Sequence, residues 1–94
     1  MSKVIAIIED EALLLKALNI ELLSAGFQVF SALDGEVGLG IIKEKKPDLI
    51  LLDLIIPKLS GFEVLKQLKE DALLRRIPVV ILSNLGQKED QQHA

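Results

Sequence analysis

Apolar and polar positions fall along this chain in blocks of two kinds. Val4–Ile8, residues 49–52 and Val79–Leu82 are apolar runs of strand length with no polar interruption. Such runs read as strands buried on both faces, the pattern of a parallel sheet. A fourth segment, Phe27-Gln28-Val29-Phe30, alternates briefly and reads as a shorter strand. Between these runs the period changes. Leu13, Leu14, Ala17, Leu18 and Leu22 recur at helical spacing, and Gly26 supplies a left-handed cap after them. Residues 36–45 carry Val37, Leu39, Ile41 and Ile42, with Ser31 or Asp34 to cap them and Pro47 to stop them. Gly38 and Gly40 within that helix should each cost about 1 kcal/mol relative to Ala, which makes it the weakest predicted helix. Residues 61–71 set Phe62, Val64, Leu65 and Leu68 on one stripe behind a Ser60 cap. Arg75, Arg76 and Pro78 read as a connecting loop, and residues 87–94 as the start of one more polar helix. The three phenylalanines read as core.

The order is therefore β-α-β-α-β-α-β with a helical stub. Strands alternating with helices imply an α/β fold: a parallel sheet covered on both faces, with right-handed crossovers. Ligands of such sheets sit outside the carboxyl ends of the strands. That rule brings Glu9, Asp10, Asp53 and Ser83 to one edge, because each follows its strand directly. A carboxylate such as Asp53 at the end of a buried strand is costly unless a cation or hydrogen-bond donors meet it. Taken alone, Glu9-Asp10-Glu11 also reads as solvated acids opening a helix, where their charge suits the helix dipole.

Composition narrows the choices. Ninety-four residues, half of them hydrophobic, form one domain over residues 1–94 with a single core. A net charge of −3 argues against a nucleic-acid binder, which would carry a basic patch. The absence of cysteine excludes a disulfide framework, a thiolate zinc site and a thiol nucleophile. The longest apolar runs fall short of a membrane span and no signal peptide is present, so a soluble cytoplasmic domain is expected.

Three uncompensated carboxylates at one edge would raise each other's pKa. A divalent cation relieves this. Mg²⁺ suits best, since it uses one or two carboxylates, keeps several waters and shares its octahedron with phosphate oxygens. A carboxylate can also attack phosphorus to give an aspartyl phosphate, a transfer that needs mainly positioning and charge neutralisation. With Asp53 as nucleophile, the Ser83 hydroxyl would hold a phosphoryl oxygen.

These strand ends, with the Asp-x-x-x-Pro-x-x-x-Gly spacing from Asp53 to Gly61, resemble the receiver domain of bacterial two-component response regulators over the whole chain. The resemblance implies a flavodoxin-like (CheY-like) parallel sheet of strand order 2-1-3-4, with the fifth strand and fifth helix missing. It also implies phosphotransfer from a sensor histidine kinase or phosphotransfer protein onto Asp53. Mg²⁺ would be held by Glu9, Asp10, Asp53 and the backbone carbonyl of Ile55, and Ser83 would follow the phosphoryl group as a switch. The domain would be a signalling module and not an enzyme. Ile55 and Leu85 match positions that tune phosphoryl lifetime in the family. Being apolar, they cannot orient an attacking water, so an added phosphate should persist.

In the family a lysine ending the fifth strand pairs with the phosphoryl group, and no lysine here matches it by position. Lys58 lies in the loop after Asp53, and Lys88 in the terminal stub. Losing a charge-assisted contact of about 1.5–3 kcal/mol predicts weak or absent phosphorylation unless a neighbouring chain supplies the cation. A missing fifth strand would also leave Val79–Leu82 as an apolar open edge, which predicts a homo-oligomer through that strand. The alternative reading is a non-phosphorylatable receiver acting as an assembly or dimerisation module. A flavin-binding flavodoxin is disfavoured because the acids after the first strand would repel its phosphate. Aspartate-nucleophile phosphatases commonly need a second Asp two residues after the first, and position 55 is Ile. His93, in a polar tail, reads as a frayed terminus.

Overall fold

The computed structural model describes residues 2–82. Four strands, β1 (Val4–Ile8), β2 (Gln28–Ala32), β3 (Leu49–Asp53) and β4 (Val79–Leu82), form one parallel sheet in the order β2-β1-β3-β4. They alternate with α1 (Ala12–Ser24), α2 (Gly35–Lys45) and α3 (Gly61–Glu70). The expected α/β architecture and strand order hold. The Arg75-Arg76 connection is more ordered than a loop: Leu74–Arg76 is a 3₁₀ turn. Asp71 sets it up by accepting hydrogen bonds from the Leu73 and Leu74 N–H groups at 2.8 and 3.0 Å.

Alternation along the strands divides the core between the two faces of the sheet. Ile5 and Ile7 point to the side of Leu15, Leu18 and Leu22 on α1. Ala6, Ile8, Ile50 and Leu52 point to the side of Leu39 and Ile42 on α2 and Val64 and Leu68 on α3. One helix therefore covers one face and two cover the other, as right-handed crossovers require when the strand order reverses after β2.

The helix faces differ in places from their predicted stripes. On α1 the inward line is Leu15, Leu18 and Leu22, while Leu13 is 81% exposed and Ala17 lies outside. The helix is apolar nearly all round, so periodicity alone does not fix its rotation. On α2, Val37 is exposed and Gly38 is buried in its place. A Cβ at Gly38 would lie 2.5–2.9 Å from Ile8 side-chain atoms, so this glycine is what brings α2 down onto β1. On α3 the inward positions are Gly61, Val64 and Leu68, which turns Phe62 outward to 61% exposure. Phe62 is thus not a core residue.

β4 forms the edge of the described sheet beside β3, with Val80 and Ile81 exposed. No helix among the described residues is long and apolar enough to cross a membrane.

Candidate functional site

Strand register builds the site. Ile8 pairs with Leu52 across β1 and β3, so the next residue of each chain segment, Glu9 and Asp53, reaches the same level of the carboxyl edge. Glu9, Asp10 and Asp53 each offer a carboxylate oxygen, and these oxygens lie within 4.8 Å of one another. Glu9 and Asp53 are fully buried, and Asp10 is exposed. The sequence expectation that these three meet is met in the structure. Ser83 lies outside the described residues, as do Asn84, Leu85, Lys88 and His93. The residue before it, Leu82, pairs with Asp53 across β3 and β4.

Backbone donors hold the carboxylates. The Glu9 N–H donates to the Ala32 carbonyl at 3.0 Å, which carries the β1–β2 ladder one residue past the strand. Glu9 Oε2 accepts from the Glu11 N–H at 2.9 Å. Asp53 Oδ1 accepts from the Ile55 N–H at 3.1 Å, a local turn that fixes the side chain against its own loop. The Ile55 side chain is exposed.

The loop of residues 54–60 is anchored at both ends. The Gly61 N–H donates to the Leu54 carbonyl at 3.0 Å, and Ser60 caps α3 by accepting from the Glu63 N–H at 3.2 Å. A Cβ at Gly61 would collide with the Asp53 carbonyl, so glycine is required for α3 to start this close to Asp53. On the other side, the Gly35 N–H donates to the Pro57 carbonyl at 3.3 Å, and a Cβ at Gly35 would collide with the Leu59 carbonyl. Lys58, in the left-handed region at φ 67°, places its ammonium 3.9 Å from Asp34 Oδ2. Sequence reasoning did not find the contact of Gly35 with this loop. Its one signal was a glycine at the first position of a helix, where the backbone itself has no need of one.

Burial is the largest influence on Glu9 and raises its pKa; Asp53, Asp10 and a hydrogen bond with Asp10 raise it further. The Glu11 N–H pulls the other way, and the net result is a pKa of about 7 against an ordinary 4.5. A buried carboxyl that resists ionisation beside two other carboxyls is a site in need of positive charge. The donor set is entirely oxygen and includes two buried carboxylates, which fits a hard cation such as Mg²⁺.

Comparison with known proteins gives a consistent picture. The family described as "Response regulator receiver domain" matches residues 5–94. The polar-differentiation response regulator DivK of Brucella anthropi is 36% identical over 92 residues, covering 98% of this chain and 75% of DivK. The DNA-binding dual master transcriptional regulator RpaA of Synechocystis is 40% identical over 87 residues. That match covers 93% of this chain but only 36% of RpaA. Among solved structures, the phosphorylated cyanobacterial phytochrome response regulator RcpA superposes with a TM-score of 0.82 at 34% identity, covering 99% of this chain and 73% of RcpA. The receiver domain of the Pseudomonas aeruginosa sensor histidine kinase PA1611, solved with magnesium in its active site cleft, gives 0.85 at 23% identity, a likeness of fold. It covers 98% of this chain and 75% of that one.

Proposed function

The chain belongs to the response regulator receiver family, and on that premise we propose that Asp53 is its phosphoacceptor in a two-component phosphorelay. The observation that carries this reading is the convergence of Glu9, Asp10 and Asp53 at the end of β1 and β3, with two of the three fully buried. Glu9, Asp10, Asp53 and the Ile55 carbonyl would hold Mg²⁺. Bound there, the ion supplies the charge neutralisation that lets an anionic phosphoryl group approach anionic carboxylates.

In the transfer, a carboxylate oxygen of Asp53 attacks the phosphorus of a phosphohistidine on a sensor kinase or phosphotransfer protein. The O–P bond forms as the P–N bond breaks, and the histidine nitrogen leaves with the electron pair and takes up a proton. The Ile55 N–H holds Oδ1 of Asp53 and so fixes the carboxylate in one rotamer. Ser83 would donate its hydroxyl to a phosphoryl oxygen. The support for that role is the register that sets Leu82, the residue before it, beside Asp53.

A second reading is an assembly module in which copies pair through β4. It is favoured by the exposure of Val80 and Ile81 on the edge strand of the described sheet. Calorimetric titration with Mg²⁺ separates the two. The phosphoacceptor reading predicts one bound ion per chain, with affinity falling at least about tenfold in Asp53→Asn and in Asp10→Asn. No measurable binding by a folded wild-type protein would leave only the assembly reading.

A further inference from the structure

We propose that α1 is a self-association surface through which two copies of this chain pair with their first helices side by side and parallel. The helix turns Leu15, Leu18 and Leu22 into the sheet, and this fixes which side faces outward. That outer side carries Leu13, Ala17, Ile20 and Ser24, all exposed. Leu13 is 81% and Ile20 55% exposed, with Leu23 beside them at 56%. The spacing 13, 17, 20, 24 is the alternating four-and-three step of a coiled-coil seam over almost two heptads. An outer face built this way is unusual on a surface helix, whose exposed side is normally polar.

Charge selects the occupant and its direction. The seam is flanked on one side by Lys16 and on the other by Glu21, both exposed. These residues are five apart. In a parallel pair of helices, the residue just before one seam position faces the residue five further on in the partner. Lys16 of one copy therefore meets Glu21 of the second, and symmetry repeats the contact. An antiparallel pair would instead set each flank against its own kind, with Lys16 near Leu23 of the second copy and no opposite charge to meet. The small Ala17 at the middle of the seam allows close approach, while Leu13 and Ile20 supply the apolar contact. The surface shares no residue with the carboxylate cluster or with β4.

Sedimentation velocity on the full chain from micromolar to millimolar concentration, with circular dichroism to verify folding, tests this. The wild type is expected to form a reversible dimer. Lys16→Glu and Glu21→Lys should each weaken it by about tenfold, and the double exchange should restore it to within about threefold. Ile20→Lys should abolish it, whereas Val80→Lys on β4 should leave it intact. A wild type that stays monomeric throughout would overturn the proposal. So would a dimer that Val80→Lys dissolves and Ile20→Lys does not, or a double exchange as weak as the single variants.

Discussion

At Glu9 two demands oppose each other: the fold buries the carboxyl completely, and a cation site needs it ionised. In metal-free solution the first prevails, and the pKa rises from 4.5 to about 7. The folded protein then binds this proton more tightly than the unfolded chain does. Stability contributed by the protonated form is complete below about pH 4.5 and is lost as pH rises towards 7. By linkage the loss is on the order of a few kcal/mol. Urea unfolding between pH 4.5 and 7.5 should show this decline in chelator-treated wild type and a much flatter profile in Glu9→Gln. Added Mg²⁺ should stabilise the protein more at pH 7.5 than at pH 5, because the ion competes with that proton.

The glycines of α2 make a second residue-scale test. Gly40 faces open space, so Gly40→Ala should raise stability by about 0.5–1 kcal/mol through helix propensity and a less flexible unfolded chain. Gly38→Ala should lower it by about 1–3 kcal/mol, because the added methyl enters the space of the buried Ile8 side chain. Composition treats the two alike and predicts the same cost for each. Only the packing of α2 on β1 separates them, and thermal unfolding of the two variants reads the sign directly.

Among the elements, caps and strand positions were readable from the chain, and helix rotation was not. Ser60 was recognisable as a cap by its position, and it accepts from the Glu63 N–H at 3.2 Å; of the two candidates for α2, Ser31 and Asp34, it is Asp34 that caps, accepting from the Val37 N–H at 2.9 Å. Asp34→Ala should cost about 1 kcal/mol in chemical denaturation, and Asp34→Ser, which keeps an acceptor, much less. Three strands were legible because short uninterrupted apolar runs between helical segments read as buried strands, whereas β2, expected over residues 27–30 from a brief alternation, runs Gln28–Ala32. Leu13, Val37 and Phe62 were misplaced for two reasons. In α1 apolar residues surround the axis, and in α2 and α3 a buried glycine takes the inward position that periodicity would give to a larger side chain. A glycine contributes nothing to an apolar stripe, so the close approaches at Gly38 and Gly61 leave no trace in a hydrophobic pattern.

For the whole molecule, the topology places the chemistry. Parallel strands in the order β2-β1-β3-β4 bring the ends of β1 and β3 together at the carboxyl edge, although Glu9 and Asp53 are far apart in the chain. The candidate site was legible because each of its acids directly follows an apolar run, so knowing the strands meant knowing the edge. The anchoring of the loop after β3 was not legible. It depends on where backbone carbonyls of residues 53, 57 and 59 meet the glycines at 61 and 35, which only the packed fold determines.

In the proposed function these carboxylates make Asp53 a cation-dependent phosphoacceptor. Incubation of the chain with a small acyl phosphate, with Mg²⁺ or with chelator, followed by mass mapping of the phosphoryl group, tests this. The prediction is slow addition of one phosphoryl group per chain, located on Asp53, dependent on Mg²⁺ and absent from Asp53→Asn. No labelling of a protein shown to bind Mg²⁺, labelling that survives chelation, or a phosphoryl group on another residue would contradict it.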